Sequence, residues 1–272
     1  MRIGLSRITA AAVAIVALGA CSDDPTAPLD QEIESTATTD VASSEGNMIV
    51  GDMFLLIGAE ATAVGVPAGA AMEFSAVTPP SGCTQGEDGG FVCPTHTTEN
   101  GTWTRTFFFY DGTTIQDGYD AATTDSIKFI TSGSGTITRD GYSATFSRNR
   151  TAVLSGLDGQ ETSRTWNAIG AGTRTETWTG DRGTRTYDVE SQDTVTNLVM
   201  NLPRSSNPYP ASGSIVHRAE IHVEFSGARG TGTRDFVRRV QVTFNGTSTA
   251  ALNINGRNCT LNLETRAVSC SQ

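Results

Sequence analysis

The chain has 272 residues, enough for one sizeable domain or two small ones. Its 29 acidic residues outnumber its 19 basic residues and give a formal net charge of −10 at pH 7. This acidic balance argues against nucleic acid and anionic lipid as direct partners, because both carry negative charge.

The N-terminus has the layout of an export signal. Arg2 and Arg7 precede an apolar run over residues 8–18, which is too short to span a bilayer. The run ends in Leu18-Gly19-Ala20-Cys21, which resembles the lipobox of bacterial lipoproteins. The resemblance is confined to residues 1–21.

The lipobox resemblance implies that residues 1–20 are removed as a signal peptide and that the thiol of Cys21 carries lipid, with palmitate among the expected acyl groups. Cys21 would then tie the protein to a membrane of the cell envelope. In lipoproteins of this kind, aspartate after the cysteine favours retention at the inner membrane. Ser22 stands there in this chain, so the resemblance favours the outer membrane.

Residues 21–47 have the composition of a disordered tether. After Cys21 this stretch contains many Ser, Thr and Ala residues and no Lys or Arg. Its acidic residues repel one another, and a flexible chain of this length has a mean reach of about 25–30 Å. The acidic residues are Asp23, Asp24, Asp30, Glu32, Glu34, Asp40 and Glu45. No second linker follows, so residues 48–272 are expected to form one β-rich domain.

The first segment of this domain differs from the rest. Apolar residues at positions 49, 53, 56, 57 and 64 have nearly helical spacing, which predicts a helix over residues 48–63. The segment is apolar nearly all round and would therefore be buried. A first pair of strands is the alternative for the same residues.

The remainder predicts an antiparallel sheet. Asn-Gly and Asp-Gly dipeptides favour hairpin turns. Between them lie Thr, Val, Ile and aromatic residues, which are typical of strands. The fold class predicted is all-β: an antiparallel meander of about ten strands forming a barrel or strongly curved sheet, with one N-terminal buried helix. The dipeptides begin at positions 88, 100, 111, 117, 140, 158, 245 and 255.

Residues 215–225 show the clearest alternation, with mainly apolar side chains at odd positions and charged ones at even positions. This strand is expected to have one face buried in the core and one face exposed to solvent. Residues 236–244 alternate in the same way, with apolar residues at 236, 240, 242 and 244. His217 lies on the apolar side and is expected to be a core histidine with its hydrogen bonds satisfied.

Four cysteines remain besides Cys21, and an even number in an oxidising compartment favours disulfides. Their proximity along the chain favours Cys83 with Cys93 and Cys259 with Cys270. Zinc is the rival, but the gaps within each pair are longer than those of zinc knuckles. A turn at Asn255-Gly256 places Leu252 opposite Cys259, and a turn near residue 264 places Cys259 opposite Cys270.

A repeated Thr-Arg-Thr pattern raises the question of a binding surface. A hairpin turning at residues 180–183 places Trp178 opposite Arg185 and Glu176 opposite Tyr187. Rings and guanidinium groups on one face could stack a sugar or hold an anion. Structural cross-strand contacts are the alternative, with Glu176 neutralising an arginine. The candidate ligand-contact residues are Arg164, Trp166, Arg174, Trp178, Arg185 and Tyr187.

Other reactive groups give weaker signals. Glu220, His222 and Glu224 share one face of a strand but stand nearly 7 Å apart in succession, too far to meet one metal ion. The aspartates between 111 and 125 lack the spacing of a calcium loop and are expected to form turns. No metal site, no cofactor and no nucleophile with an adjacent base is expected, so the sequence predicts that the protein is not an enzyme.

Two functions follow as hypotheses. The first is an envelope-anchored lipoprotein whose non-enzymatic β-domain serves a structural or protein-binding role, with an unknown envelope protein as partner. The second is a periplasmic-type carrier of a lipid or other small hydrophobic ligand inside a barrel. The predicted helix over 48–63 separates them, because a helix that filled the barrel would leave no room for a ligand.

Overall fold

The computed structural model describes residues 82–181, 183–228, 230–265 and 267–270. They form one antiparallel sheet of 14 strands and contain no helix, so none of them belongs to a helix able to cross a membrane. The strands are β1 Thr84–Gln85, β2 Phe91–Val92, β3 His96–Thr98, β4 Gly101–Asp111, β5 Thr114–Gln116, β6 Ser126–Arg139, β7 Tyr142–Ser155, β8 Ser163–Gly180, β9 Gly183–Asn201, β10 Ser212–Gly227, β11 Gly230–Thr243, β12 Thr249–Ile254, β13 Arg257–Asn262 and β14 Val268–Cys270.

The sheet is a meander. Each strand from β6 to β14 lies beside the next strand in the chain, while β1 and β2 continue the sheet on the other side of β4. The short strands β3 and β5 also pair with β4. Some connections are two-residue turns, such as those after β6 and β12, whereas residues 156–162 and 202–211 form longer loops.

The turn between β12 and β13 shows how sequence sets the register. Asn255 and Gly256 are its two central residues, with φ angles of 49° and 89°. Asn and Gly tolerate this left-handed conformation, whose twist matches that of the flanking strands. The turn places Leu252 opposite Cys259, as the sequence predicts.

One face of the sheet is buried and the other is exposed. In β10 the odd-numbered residues from Ile215 to Val223 are buried, whereas the even-numbered Arg218, Glu220 and Glu224 are exposed. The predicted alternation in this strand is therefore confirmed. We call the side of the sheet that carries these odd-numbered side chains the buried face and the opposite side the exposed face.

A bulge in β9 keeps apolar side chains on the buried face. The register with β8 shifts between Trp166 and Ala168, and Asn197 adopts a positive φ of 48° on the bulged strand. An extra residue reverses the parity of a strand. Buried positions accordingly change from odd at Val195 to even at Leu198.

Two groups of buried apolar side chains lie on the buried face. The larger runs from β2 to β13 and is centred on aromatic residues such as Phe107, Phe129 and Trp166. The smaller comprises Tyr187, Val189, Ala219, Ile221 and Val223 on β9 and β10. Arg150 of β7, Asp193 of β9 and His217 of β10 lie between these two groups in the cross-strand register, and we call them the polar band.

The all-β antiparallel meander is confirmed, but the barrel or strongly curved sheet is wrong. The sheet is open, with β1 and β14 at its ends, and it is not strongly curled. Closure requires edge strands that pair over several residues, whereas β1 has 2 residues and β14 has 3. The described residues form 14 strands where about ten are predicted. The helix predicted over residues 48–63 lies outside the described residues.

Candidate functional site

The six candidate ligand-contact residues lie on the buried face. Trp178 stands opposite Arg185 and Glu176 stands opposite Tyr187, which is the register that the sequence predicts. Tyr187 is fully buried, and Trp178 and Arg185 are partly buried. The structure therefore brings these residues onto one face but removes most of that face from solvent.

Arg164 and Trp166 occupy the end of this face nearest the larger core. The Arg164 guanidinium is 1% exposed and bonds Glu161 Oε1 through Nε at 2.9 Å and Nη2 at 2.6 Å. Burial lowers the pKa of Arg164 to about 10, so the side chain stays protonated at neutral pH. The Trp166 ring packs on Phe129 with ring centroids 5.2 Å apart. Both side chains thus have structural roles in the core.

Besides the Arg164–Glu161 ion pair, a second polar group lies near the tip of the β8–β9 hairpin and includes Arg174 and Trp178. Arg174 Nε lies 2.7 Å from Glu176 Oε1, and the Tyr142 hydroxyl donates to Glu176 Oε2 at 3.0 Å. The Trp178 ring packs on the Tyr142 ring with centroids 4.4 Å apart. Burial and the neighbouring Glu176 carboxylate together raise the pKa of Tyr142 to about 12. The predicted neutralisation of an arginine by Glu176 is confirmed.

A third polar group, absent from the candidate residues, contains Arg148, Arg150 and Asp193, and we call it the Asp193 cluster. Arg148 Nη2 donates to Asp193 Oδ1 at 2.9 Å. Arg150 donates to Asp193 Oδ2 from Nε at 3.2 Å and from Nη2 at 2.5 Å. Both Arg150 and Asp193 are buried. The two arginines belong to β7 and the aspartate to β9, so the cluster spans the intervening strand β8.

Gly170 on β8 makes this span possible. It stands opposite Asp193 on one side and Arg150 on the other. A Cβ atom at Gly170 would lie within 2.8 Å of Asp193 Cγ and Oδ2, and closer still to Oδ1. The carboxylate therefore lies directly over the glycine, and only a residue without a side chain fits beneath it.

Electrostatics fix the charge state of the Asp193 cluster. Burial alone would raise the pKa of Asp193, but the charges and hydrogen bonds of Arg150 and Arg148 hold that pKa below its ordinary value. The carboxylate is consequently ionised at neutral pH and has no affinity for a proton there. The cluster suits the formation of internal ion pairs better than general acid or base chemistry.

His217 extends the polar band onto β10. It stands opposite Asp193 in the cross-strand register and is 1% exposed. Arg238 on β11 is also buried and stands opposite Ala219. The prediction that His217 is a core histidine agrees with its burial between the two apolar groups.

The exposed face carries the other histidine of β10. His222 Nδ1 lies 2.6 Å from Asp235 Oδ1, and His222 Nε2 lies 3.6 Å from Glu224 Oε1. The hydrogen bond to Asp235 raises the pKa of His222. Within the described part of the chain, no group of three His, Cys, Asp or Glu side chains is arranged to hold a metal ion.

A shallow groove crosses the exposed face and has a volume of about 320 Å³. It is lined by side chains of β7 to β10, among them Asn149, Glu190, Arg218 and Glu220. Its lining mixes charges of both signs with small hydroxyl side chains, which is typical of a solvated sheet surface.

Aspartates in the β5–β6 region serve the backbone. Asp120 Oδ1 accepts from the Ala122 N–H at 2.9 Å, and Asp125 Oδ2 accepts from the Gly112 N–H at 2.7 Å. These contacts are those of turn-forming aspartates, as the sequence predicts.

Two disulfides fasten the ends of the sheet. One joins Cys83 to Cys93 and the other joins Cys259 to Cys270, which are the pairs that the sequence spacing favours. Cys259 stands opposite Cys270 in the β13–β14 register. Disulfides are typical of proteins outside the reducing cytosol.

Comparison with protein-family models, with curated proteins and with solved structures finds no match to the chain. Inference about function therefore depends on the residues and their geometry alone.

Proposed function

We propose that the protein is a lipid-anchored lipoprotein of the cell envelope whose β-domain has a non-enzymatic structural or protein-binding role. Acylated Cys21 would hold it at a membrane, with the outer membrane favoured by Ser22. The acidic stretch 21–47 would keep the domain clear of the lipid surface.

The observation that carries the proposal is that the buried polar groups bond to one another. Asp193 bonds Arg148 and Arg150, and Glu161 bonds Arg164. Glu176 likewise bonds Arg174 and Tyr142. Catalytic sites instead hold reactive groups with pKa values poised for proton transfer near neutral pH. Groups committed to internal ion pairs stabilise and specify a sheet, which suits a scaffold.

The carrier hypothesis has less support. A site for a lipid or other hydrophobic ligand requires a continuous apolar cavity. In the described part of the chain, the polar band that contains Arg150, Asp193 and His217 interrupts the apolar lining of the buried face. A bound acyl chain crossing this band would meet charges rather than apolar side chains.

Metabolic labelling tests the anchor. Cells producing the full chain are grown with radiolabelled palmitate, and the protein is isolated and compared with the Cys21→Ser variant. We expect label in the unaltered protein and none in the variant. An unlabelled wild-type protein would remove the anchor from the proposal.

Native mass spectrometry of the protein extracted from its own envelope tests the role of the domain. We expect a protein partner that is retained after mild cross-linking in situ. A stoichiometric lipid bound to the domain, beyond the acyl chains of Cys21, would favour the carrier instead.

A further inference from the structure

The outer edge of β11 is only partly covered. β11 pairs with β10 along its whole length, from Gly230 to Thr243. On its other side it pairs with β12 over residues 240–243 alone. In the described part of the chain, no strand pairs with this side of residues 231–237, so half of a long strand presents an open edge.

The side chain of Asn255 marks where pairing with β12 stops. Its Oδ1 accepts from the Arg239 N–H at 2.7 Å, and its Nδ2 donates to the Val237 carbonyl at 3.2 Å. These bonds show that the backbone groups of odd-numbered residues point to the open side. Because direction alternates along a strand, the N–H and C=O groups of Thr231, Thr233 and Asp235 also point there.

The side chains at this edge are accessible. Thr231, Thr233 and Asp235 are exposed, and Val237 is a large apolar residue that is 48% exposed. An exposed edge offers unpaired backbone groups to another strand, and proteins usually blunt such edges with charged side chains, proline or a bulge. The segment 231–237 contains the charged residues Arg234 and Asp235 but neither proline nor a bulge, so its backbone groups stay in position to pair.

The charges on the exposed face indicate which kind of side chain an added strand should place beside Asp235. Asp188, His222 and Asp235 stand opposite one another on β9, β10 and β11. Glu224 lies near His222 on the same face, with Oε1 3.6 Å from Nε2. A strand added to β11 would place one side chain directly opposite Asp235, and a cation there would form a favourable cross-strand pair.

A second copy of the chain that paired through its own β11 edge would lack that cation. In an antiparallel pair, a residue whose backbone groups point to the partner faces another such residue. Two β11 edges would therefore bring odd-numbered residues together, and those from 231 to 237 are Thr, Thr, Asp and Val. Arg239 is also odd-numbered, but its N–H and C=O are bonded to Asn255.

The N-terminal part of the chain lacks the cation as well, since no Lys or Arg occurs between Arg7 and Arg105. We propose that the outer edge of β11, from Thr231 to Val237, receives an extended segment of another protein as an antiparallel strand with Lys or Arg opposite Asp235. This inference rests on the proposed protein-binding role and names its surface and the chemistry of the partner.

Two peptides test the proposal, each carried on one arm of a hairpin to reduce the entropy of ordering. The first has the sequence Thr-Val-Lys-Thr-Thr-Ala-Thr, which aligns its valine with Phe236 and its lysine with Asp235. The second replaces the lysine by glutamate. With the lipidated protein in detergent micelles, we expect the lysine peptide to bind about tenfold more tightly. In the Asp235→Lys variant the preference should reverse.

Backbone pairing is tested by Thr233→Pro, which removes an N–H that points to the open edge and is tolerated at such positions. Thr233→Val is the matched control, because it keeps the N–H. We expect the lysine peptide to bind the control and not the proline variant. Binding of the lysine peptide to the unaltered protein should also slow hydrogen exchange at the amides of Thr231, Thr233 and Asp235.

The proposal is overturned if neither peptide binds, if Thr233→Pro binds as the control does, or if the two peptides bind equally. Any of these results would remove the β11 edge as the binding surface without contradicting the proposed function. The proposed function would still stand if the protein carries palmitate and if it retains an envelope partner that binds the Thr233→Pro variant equally well. Loss of every protein partner from the extracted protein would instead contradict the proposed function itself.

Discussion

Substitution of Gly170 by alanine is expected to break the ion pairs of the Asp193 cluster. The added methyl group would lie within 2.8 Å of Asp193 Cγ and Oδ2, well inside van der Waals contact. The carboxylate would have to rise from the sheet, and its bonds of 2.9 Å to Arg148 and 2.5 Å to Arg150 would lengthen. The cause of destabilisation is then the separation of buried charges.

The magnitude follows from two opposing effects. Removing one partner of a buried ion pair costs about 3–5 kcal/mol because a buried charge is left unpaired, and we expect a similar cost when the partners are forced apart. Replacing glycine by alanine restricts the unfolded chain and returns about 0.4–1 kcal/mol. The net loss expected for Gly170→Ala is about 2–4.6 kcal/mol, which lowers the midpoint of urea unfolding by about 1–2 M at a slope of about 2 kcal/mol per M.

A double-mutant cycle isolates the cause. In an Asp193→Ala background the methyl group at position 170 meets no carboxylate, so Gly170→Ala should there be neutral or slightly stabilising. Gly180→Ala is the matched control on the same strand, because no atom lies within 4 Å of its Cβ position. An undiminished cost of Gly170→Ala in the Asp193→Ala background would refute the reasoning.

Three further predictions concern pH and the disulfides. The depressed pKa of Asp193 means that its ion pairs stabilise the fold above the ordinary aspartate value of 3.8 and lose that effect as the pH falls through the folded-state pKa. Asp193→Asn should therefore flatten the acid limb of a plot of unfolding free energy against pH. Tyr142 should ionise near pH 12, and because the pKa values of Tyr119 and Tyr209 are raised as well, ultraviolet titration should show a step near pH 12 that is smaller by one tyrosine in Tyr142→Phe than in the unaltered protein. Replacing Cys259 and Cys270 together by serine should lower the free energy of unfolding by about 2–3 kcal/mol, measured by urea titration without reductant.

Local patterns in the sequence were sufficient to predict the hairpins. The alternation around Ile221 identifies the buried side of β10, and the position of a single turn fixes Glu176 opposite Tyr187. Counting residues outward from the turn near residue 264 likewise places Cys259 opposite Cys270. Each of these relations involves only one strand or one tight turn, so side-chain period and turn chemistry are enough to determine it.

The Asp193 cluster could not be predicted by the same means. Arg150 and Asp193 are 43 residues apart and become neighbours only through the combined register of the β7–β8 and β8–β9 hairpins. A signal was present, since Asp193 alternates with Val195 and Arg150 with Ala152 on otherwise apolar positions. The sequence also could not predict that the sheet is open, because closure into a barrel depends on whether the two edge strands meet and not on any local pattern.

Repetition on the exposed face makes the Asp193 cluster important for register. In the β8–β9 hairpin, Thr177 stands opposite Thr186 and Thr179 opposite Thr184. A slip by two residues would still pair threonine with threonine and keep each side chain on its own face, so the exposed face discriminates weakly between registers. The buried face discriminates strongly, because sliding Asp193 from Gly170 to Ala168 would set its carboxylate against a methyl group and away from the arginines. A buried charge that finds partners in only one alignment penalises the others by the cost of leaving it unpaired. The cluster thus gives a threonine-rich sheet the single register that a defined edge at β11 requires.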